Sequence, residues 1–130
     1  MNQNRKPLKR TNKDVRAVIN FLLEKKARNI IVLDVRKISS ITDFIFVASG
    51  SSDRHLNTIA DNLLSSFKQK PLGQEGISTP GARWIVIDYG GIMVHLIHDD
   101  LRNYYNIEGL WPEAKELIVE SSFVETSNVN

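Results

Sequence analysis

Apolar residues recur along the chain with two periods, and each period predicts a different kind of element. Near the N-terminus the spacing is three or four residues, which predicts one face of an amphipathic helix at Val15, Val18, Ile19 and Leu22. Thr11 is expected to cap this helix, with Asp14 three residues later in the capping-box position. The pattern fades near Ala27, where we expect the helix to end.

Two short apolar runs then predict two strands. Residues 30–35 (IIVLDV) are rich in β-branched side chains, and residues 44–49 (FIFVAS) are almost continuously apolar, as in a strand buried on both faces. Gly50 ends the second strand, and Ser51 or Ser52 is expected to cap a second helix. The apolar stripe of that helix comprises Leu56, Ile59, Ala60, Leu63, Leu64 and Phe67.

The second half of the chain predicts a meander. Residues 72–78 form a weak edge strand, and residues 83–89 and 92–97 form two strong strands. Gly90-Gly91 lies between the strong strands and predicts a two-residue hairpin loop of the primed-turn type. Because alternation fixes which side chains share a face, this loop also predicts a register in which Tyr89 lies opposite Ile92.

The end of the chain is less sharply patterned. Residues 99–111 are expected to be helical, and the polar segment 112–120 is compatible with a further helix. The order of elements predicts the α/β (α+β) class, with one mixed β-sheet packed with helices. We expect a disordered basic arm at 1–10, a single domain at 11–118 and a disordered tail at 119–130.

The predicted register gives the hairpin two different faces. The first carries Ile85, Ile87, Tyr89, Ile92, Val94 and Leu96, and its apolar character predicts the core side. The second, which we call the Trp84 face, carries Trp84, Val86, Asp88, Met93, His95 and Ile97. An aromatic side chain and a methionine around a few polar groups are typical of a protein-binding surface. The alternative is that a helix covers this face and Trp84 is part of the core.

Charge is distributed unevenly along the 130 residues. The first 28 residues hold nine Lys/Arg and two Asp/Glu, a net of +7, and the other eight basic and 13 acidic residues give −5. The acidic body therefore predicts a basic protein as partner, while the arm is either a solvated segment or a minor rRNA contact. The sequence lacks the run of about 18 apolar residues that a transmembrane helix requires. The basic N-terminus is not followed by the apolar run of a secretory signal. We therefore expect a cytoplasmic protein.

The segment Gly50, Ser51, Ser52 and Asp53, which we call the Gly50 loop, is the candidate anion or ligand site. It joins a strand to a helix, and free amides at a helix N-terminus attract anions. Nucleotidyltransferases use such a loop, but they also need closely spaced carboxylates for magnesium, and the sequence has no Asp-x-Asp. A nucleotide-binding or degenerate nucleotidyltransferase-like enzyme therefore stays an alternative.

Other catalytic and metal-binding patterns are weak. The chain has no cysteine, and no serine lies in a Gly-x-Ser-x-Gly elbow. His95 and His98 are three apart on a predicted strand, where such side chains point to opposite faces, so we predict no metal site.

Several motifs in order resemble the ribosomal silencing factor (Iojap-like) family over residues 29–112. They are Ile41-Thr42-Asp43, Gly50-x-Ser52-x-Arg54-His55, Trp84 with Asp88-Tyr89-Gly90, Val94-His95, and Tyr105 to Trp111. The resemblance implies a nucleotidyltransferase-like fold without catalytic carboxylates, no cofactor, and no enzymatic activity. It implies binding to ribosomal protein L-fourteen on the large subunit, steric exclusion of the small subunit, repression of translation, and a homodimer when free.

On this resemblance, Trp84 is expected to anchor the partner, with Val86 and Met93 around it. Asp88 would meet a Lys or Arg of the partner, and Tyr89 and His95 would lie at the rim. The sequence departs from the family at Gly91, where an Asp is usual, and so lacks one carboxylate beside the Trp84 face. A further alternative is an RNA-binding ribosome assembly adaptor that acts through the basic arm.

Overall fold

The computed structural model describes residues 8–77, 79–104 and 106–117. They form one mixed β-sheet with helices packed on it, which confirms the predicted fold class. The elements are α1 (Leu8–Glu24), β1 (Arg28–Asp34), β2 (Phe44–Gly50), α2 (Asp53–Ser66), β3 (Gly73–Glu75), β4 (Trp84–Asp88), β5 (Ile92–His98), α3 (Asp99–Tyr104), a 3-10 turn (Ile107–Leu110) and β6 (Lys115–Leu117).

The six strands are ordered β3-β4-β5-β2-β1-β6 across the sheet. β2 and β5 are parallel, and the other neighbouring strands are antiparallel. β2 lies in the middle, and all seven of its residues are buried. The continuous apolar run therefore predicted this strand correctly, because a central strand covered on both faces has no side that tolerates polar groups.

One face of the sheet is covered by α1 and α2 and holds the larger core. The apolar stripes predicted for both helices supply Val15, Val18, Ile19, Leu22, Leu56, Ile59, Ala60 and Leu63, all buried. From the sheet, the core side predicted for the hairpin meets them with side chains that are at most 6% exposed. Burial of this apolar area provides most of the favourable free energy of folding.

The described residues cover the opposite face only in part. A second, smaller core lies on it: Leu33, Val35, Ile45, Val47 and Ile97. Leu101 of α3, Trp111 and Ala114 pack over this cluster. The cover reaches β1, β2 and one side of β5, and it leaves side chains of β4 and β5 partly exposed.

The hairpin has the predicted register. Ile85 pairs with Leu96, Ile87 with Val94, and the Tyr89 amide donates to the Ile92 carbonyl at 2.8 Å. Gly90 has a φ of +92°, as the first central residue of a type II′ turn requires. The turn prediction is therefore confirmed, and with it the sorting of side chains into two faces.

Two sequence predictions about the ends of the domain are wrong. α1 begins at Leu8, so Thr11 lies inside the helix instead of capping it, and residues 8–10 are helical. The segment compatible with a helix contains β6 instead, which pairs with β1, and its Leu117 packs against the larger core. Pairing with an open strand edge overrides the local pattern there. The rest of the expected arm and tail, 1–7 and 119–130, lies outside the described residues.

Candidate protein-binding face

Trp84 is fixed in position by the residue diagonally across the hairpin. Its indole N–H donates to Nδ1 of His95 at 3.1 Å, and the two rings meet edge to face with centroids 6.0 Å apart. The ring packs against the smaller core on one side and is only partly buried. An aromatic ring that is held in place but not covered costs little entropy when a partner buries it.

His95 lies between two tryptophans. On its other side is Trp111, with ring centroids 6.2 Å apart. Because Nδ1 accepts the Trp84 hydrogen bond, the proton of the neutral ring is on Nε2, which is buried and has no hydrogen-bond partner among the described residues. His95 is partly exposed, and its ring supports Trp84 from within the face.

Burial lowers the pKa of His95 below the ordinary value of 6.5. A charged imidazole would also lose the Nδ1 lone pair that receives the Trp84 hydrogen bond. The described fold therefore favours neutral His95, and the stability this provides is complete above pH 6.5 and is lost as the pH falls below it.

We therefore expect acid to destabilise the protein through His95. Since one proton is involved, the free energy of unfolding should fall by at most about 1.4 kcal/mol per pH unit below the ordinary histidine pKa. Urea denaturation at about pH 7.5 and about pH 5.5 measures the loss, which should be smaller in His95→Gln. An equal loss in the two proteins would assign the effect to other groups.

Tyr89 does not belong to the face. It is 2% exposed, and its ring meets Phe67 edge to face at 4.7 Å on the α2 side of the sheet. Burial raises the pKa of its hydroxyl. The expected rim contact through Tyr89 is wrong because Tyr89 has the same parity as Ile85 and Ile87, which point into the larger core.

Three other members of the face remain reachable, whereas Ile97 is buried in the smaller core. Val86, Asp88 and Met93 are all partly exposed. Oδ1 of Asp88 accepts from the Gly90 amide at 2.8 Å, which fixes the carboxylate at the hairpin turn. Glu75 lies opposite Val86 on β3, so two carboxylates flank the apolar centre of the face. This arrangement suits a partner with an apolar pocket surrounded by cations.

Gly91 lies in the hairpin turn, at the end of the face away from Trp84. Its carbonyl accepts from the amides of Asp43 and Phe44, both at 3.0 Å. A Cβ placed on it would lie 3.6 Å from Oδ2 of Asp43, which is ordinary contact. An aspartate would fit at this position, and it would place a second negative charge beside Asp43. In this chain, the Asp43 carboxylate lies beside this position.

Side chains in and next to the Gly50 loop accept hydrogen bonds from nearby backbone amides. Oγ of Ser52 accepts from the His55 amide at 3.0 Å, and Nδ1 of His55 accepts from the Ser51 amide at 2.9 Å. Oδ1 of Asp53 accepts from the Arg54 amide at 2.9 Å. Ser52 is the helix cap, which confirms the second of the two predicted positions. The Ser51 amide and the amides of Arg54 and His55 in the first turn of α2 are thus engaged by side chains of this segment.

Metal and membrane sites find no support in the described part of the chain. Among residues 8–77, 79–104 and 106–117, no three His, Asp or Glu side chains come together to hold a metal ion. Within the same ranges, no helix has the length and apolarity needed to cross a membrane.

Sequence reasoning missed two residues that support the face. Trp111 covers His95, and Arg102 of α3, 9% exposed, donates from Nη1 to Oγ of Ser49 at 2.8 Å under the same cover. Trp111 lies within the Tyr105 to Trp111 motif, which was the available signal. Nothing in the spacing of Arg102 indicated a buried position, because burial of an arginine depends on its tertiary partner.

The chain is similar in sequence to several known proteins. A sequence model of the family described as "Ribosomal silencing factor during starvation" matches residues 8–130. The chain is 39% identical to "Ribosomal silencing factor RsfS" of Haemophilus influenzae, over 73% of this chain and 98% of that protein. It is 28% identical to "Mitochondrial assembly of ribosomal large subunit protein 1" of Mus musculus, over 75% of this chain and 45% of that one.

A solved structure agrees with the fold. The crystal structure of a Bacillus halodurans protein superposes with a TM-score of 0.71 at 30% sequence identity, over 83% of this chain and 99% of that one.

Proposed function

Because the chain belongs to the ribosomal silencing factor family, we propose that it binds the large ribosomal subunit through the Trp84 face and sterically excludes the small subunit. Repression of translation would follow from the exclusion alone. The observation that carries the proposal is the partly exposed Trp84, held by His95 at the centre of an open sheet face. The mouse relative's name supports the large subunit as the place of binding.

Ribosomal protein L-fourteen is the proposed contact on that subunit. Ribosomal proteins are generally basic, and Asp88, Glu75 and Asp43 give the face and its border a negative charge. Complementary charge speeds the encounter and selects an orientation, while buried apolar contacts provide most of the affinity. A factor of this kind needs no catalytic group, so we propose that it acts without catalysis, in a bacterial cytoplasm.

Gradient sedimentation with purified subunits tests the proposal. The protein is incubated with large subunits, small subunits, or both, and joined ribosomes are measured in the same gradients. We expect co-migration with the large subunit and a smaller peak of joined ribosomes. Binding to neither subunit, or binding without loss of joining, would overturn the steric mechanism.

Asp88→Asn tests the charge on the face. Asparagine keeps an oxygen for the Gly90 amide, so the hairpin turn should hold while one negative charge is lost. We expect association with the large subunit at low salt to slow about two- to fivefold, with a weaker salt dependence. Asp61→Asn removes the same charge from an exposed position on α2 and should change neither. Equal effects of the two variants would exclude Asp88 from the interface.

A further inference from the structure

The turn between α1 and β1 places a lysine where glycine is favoured. The Lys26 amide donates to the Leu23 carbonyl at 2.9 Å, and the Ala27 amide donates to the Leu22 carbonyl at 3.0 Å. This pair of bonds is a Schellman motif, whose left-handed residue is most often glycine. Here that residue is Lys26, with a φ of +61°. The protein thus keeps a charged side chain at a conformational cost that glycine would avoid.

Two more cations stand beside Lys26. Lys25 and Arg28 join it along an open depression of about 660 Å³ whose other lining residues are Glu24, Ser51 and His55. Lys25 and Lys26 are exposed and have no ion-pair partner within the described residues. Arg28 pairs with Asp99, and Glu24 accepts from Asn62 at 3.1 Å, so part of the local negative charge is already engaged.

The donors of the neighbouring loop are not what attracts a ligand here. The Ser51 amide is bound to Nδ1 of His55, whose Nε2 lies 2.7 Å from the Lys25 carbonyl. The bonds of His55 therefore hold the Gly50 loop against the turn and fix the position of the lysines. An anion at the depression would be held chiefly by the lysine and arginine side chains, because the Ser51 amide is already engaged.

We propose that Lys25, Lys26 and Arg28, which we call the turn patch, bind the phosphate backbone of double-stranded RNA. The depression is open, and no Phe, Tyr or Trp among the described residues lines it, so these residues offer no platform for stacking single-stranded bases. Side-chain cations without base contacts are the means by which proteins hold a duplex backbone independently of sequence. The choice of RNA among polyanions rests on the proposed ribosomal function.

The patch lies at the same end of the sheet as Trp84. Arg28 pairs with Ser49, Ser49 with Ile97, and Ile97 with Trp84, so all four share one row across the sheet. Arg28 and Trp84 are therefore three strand spacings apart, or about 14 Å. A ribosomal protein on the Trp84 face and rRNA beside it could be contacted together, and the turn patch would set the orientation of the bound factor.

Binding of a labelled RNA duplex to the full chain, followed by anisotropy over a series of salt concentrations, tests the patch. Lys25→Gln with Lys26→Gln should weaken binding at least tenfold and lower the slope of log affinity against log salt by about two. Lys37→Gln with Lys70→Gln removes the same charge from exposed positions elsewhere and should leave most of the affinity. Equal losses in the two double variants would overturn the proposal.

Lys26→Gly separates a binding role from a structural one. Glycine relieves the left-handed strain, so the melting temperature should stay the same or rise while RNA affinity falls severalfold. Unchanged RNA affinity, or preferential loss of binding to anionic phospholipid vesicles, would contradict the assignment. Trp84→Ala should leave duplex binding intact, so failure of the patch and failure of the Trp84 face are distinguishable.

Discussion

Trp84→Ala should lower the affinity for the large ribosomal subunit about 30-fold or more, which corresponds to about 2 kcal/mol. The indole is the largest partly exposed apolar group on the face, and His95 holds it in place before a partner arrives. Its removal takes away both the area that a partner would bury and the donor that engages His95. Sedimentation with large subunits at several protein concentrations measures the change.

The control for this variant is a substitution that weakens the fold without touching the exposed face. Trp84 also packs against the smaller core, so its loss destabilises the domain to some degree. Leu33→Ala opens a cavity in the same core, and Leu33 is 4% exposed. At a temperature where both variants are folded, only Trp84→Ala should lose the large subunit. Equal binding by the two variants would refute the role of Trp84 as anchor.

The hairpin shows how far local pattern predicts structure. Two glycines fix a turn, the turn fixes a register, and alternation then assigns every side chain from Trp84 to Ile97 to a face. The assignment was correct throughout, because each step depends on neighbours in sequence. The expectation that Tyr89 contacts a partner came from the family resemblance, and the strand parity already contradicted it.

Interactions between distant segments were not predictable in the same way. β6 forms because β1 has an open edge with which it can pair, and the sequence of residues 112–120 does not indicate that pairing. The position of His95 between Trp84 and Trp111 depends on the path of a segment more than ten residues later in the chain. Similarly, the Gly50 loop has the composition of an anion site, but the Ser51 amide donates to His55 and the Ser52 hydroxyl accepts from the His55 amide. Composition alone does not distinguish an open site from a satisfied one.

Acidic residues lie around the Trp84 face, and basic residues form the turn patch. Asp88 and Glu75 border the aromatic centre, while Lys25 and Lys26 lie across the sheet at the start of β1. A net charge of +2 therefore hides one surface suited to a basic protein and another suited to a polyanion. If both proposed contacts form on the large subunit, two opposite electrostatic contacts would fix an orientation that either alone would leave free.

Gly76→Ala should be the most destabilising small substitution in the hairpin region. Gly76 has a φ of +88°, and a Cβ on it would lie 2.5 Å from the Trp84 carbonyl oxygen and 3.2 Å from Cα of Ile85. Backbone atoms of β4 cannot move aside without parting β3 from the sheet. The left-handed conformation and the collision together should lower the free energy of unfolding by about 2–4 kcal/mol.

Gly73→Ala is the matched control, three residues earlier at the start of β3, because a Cβ at Gly73 meets nothing within 4 Å. Its effect should stay within about 0.5 kcal/mol, and urea denaturation compares both variants with the parent chain. Because the collision at Gly76 is with the backbone of Trp84 itself, Gly76→Ala should also weaken binding to the large subunit under conditions where it is folded. If it is as stable as Gly73→Ala, the close approach of β3 to Trp84 is wrong, and with it the support of the face from that side.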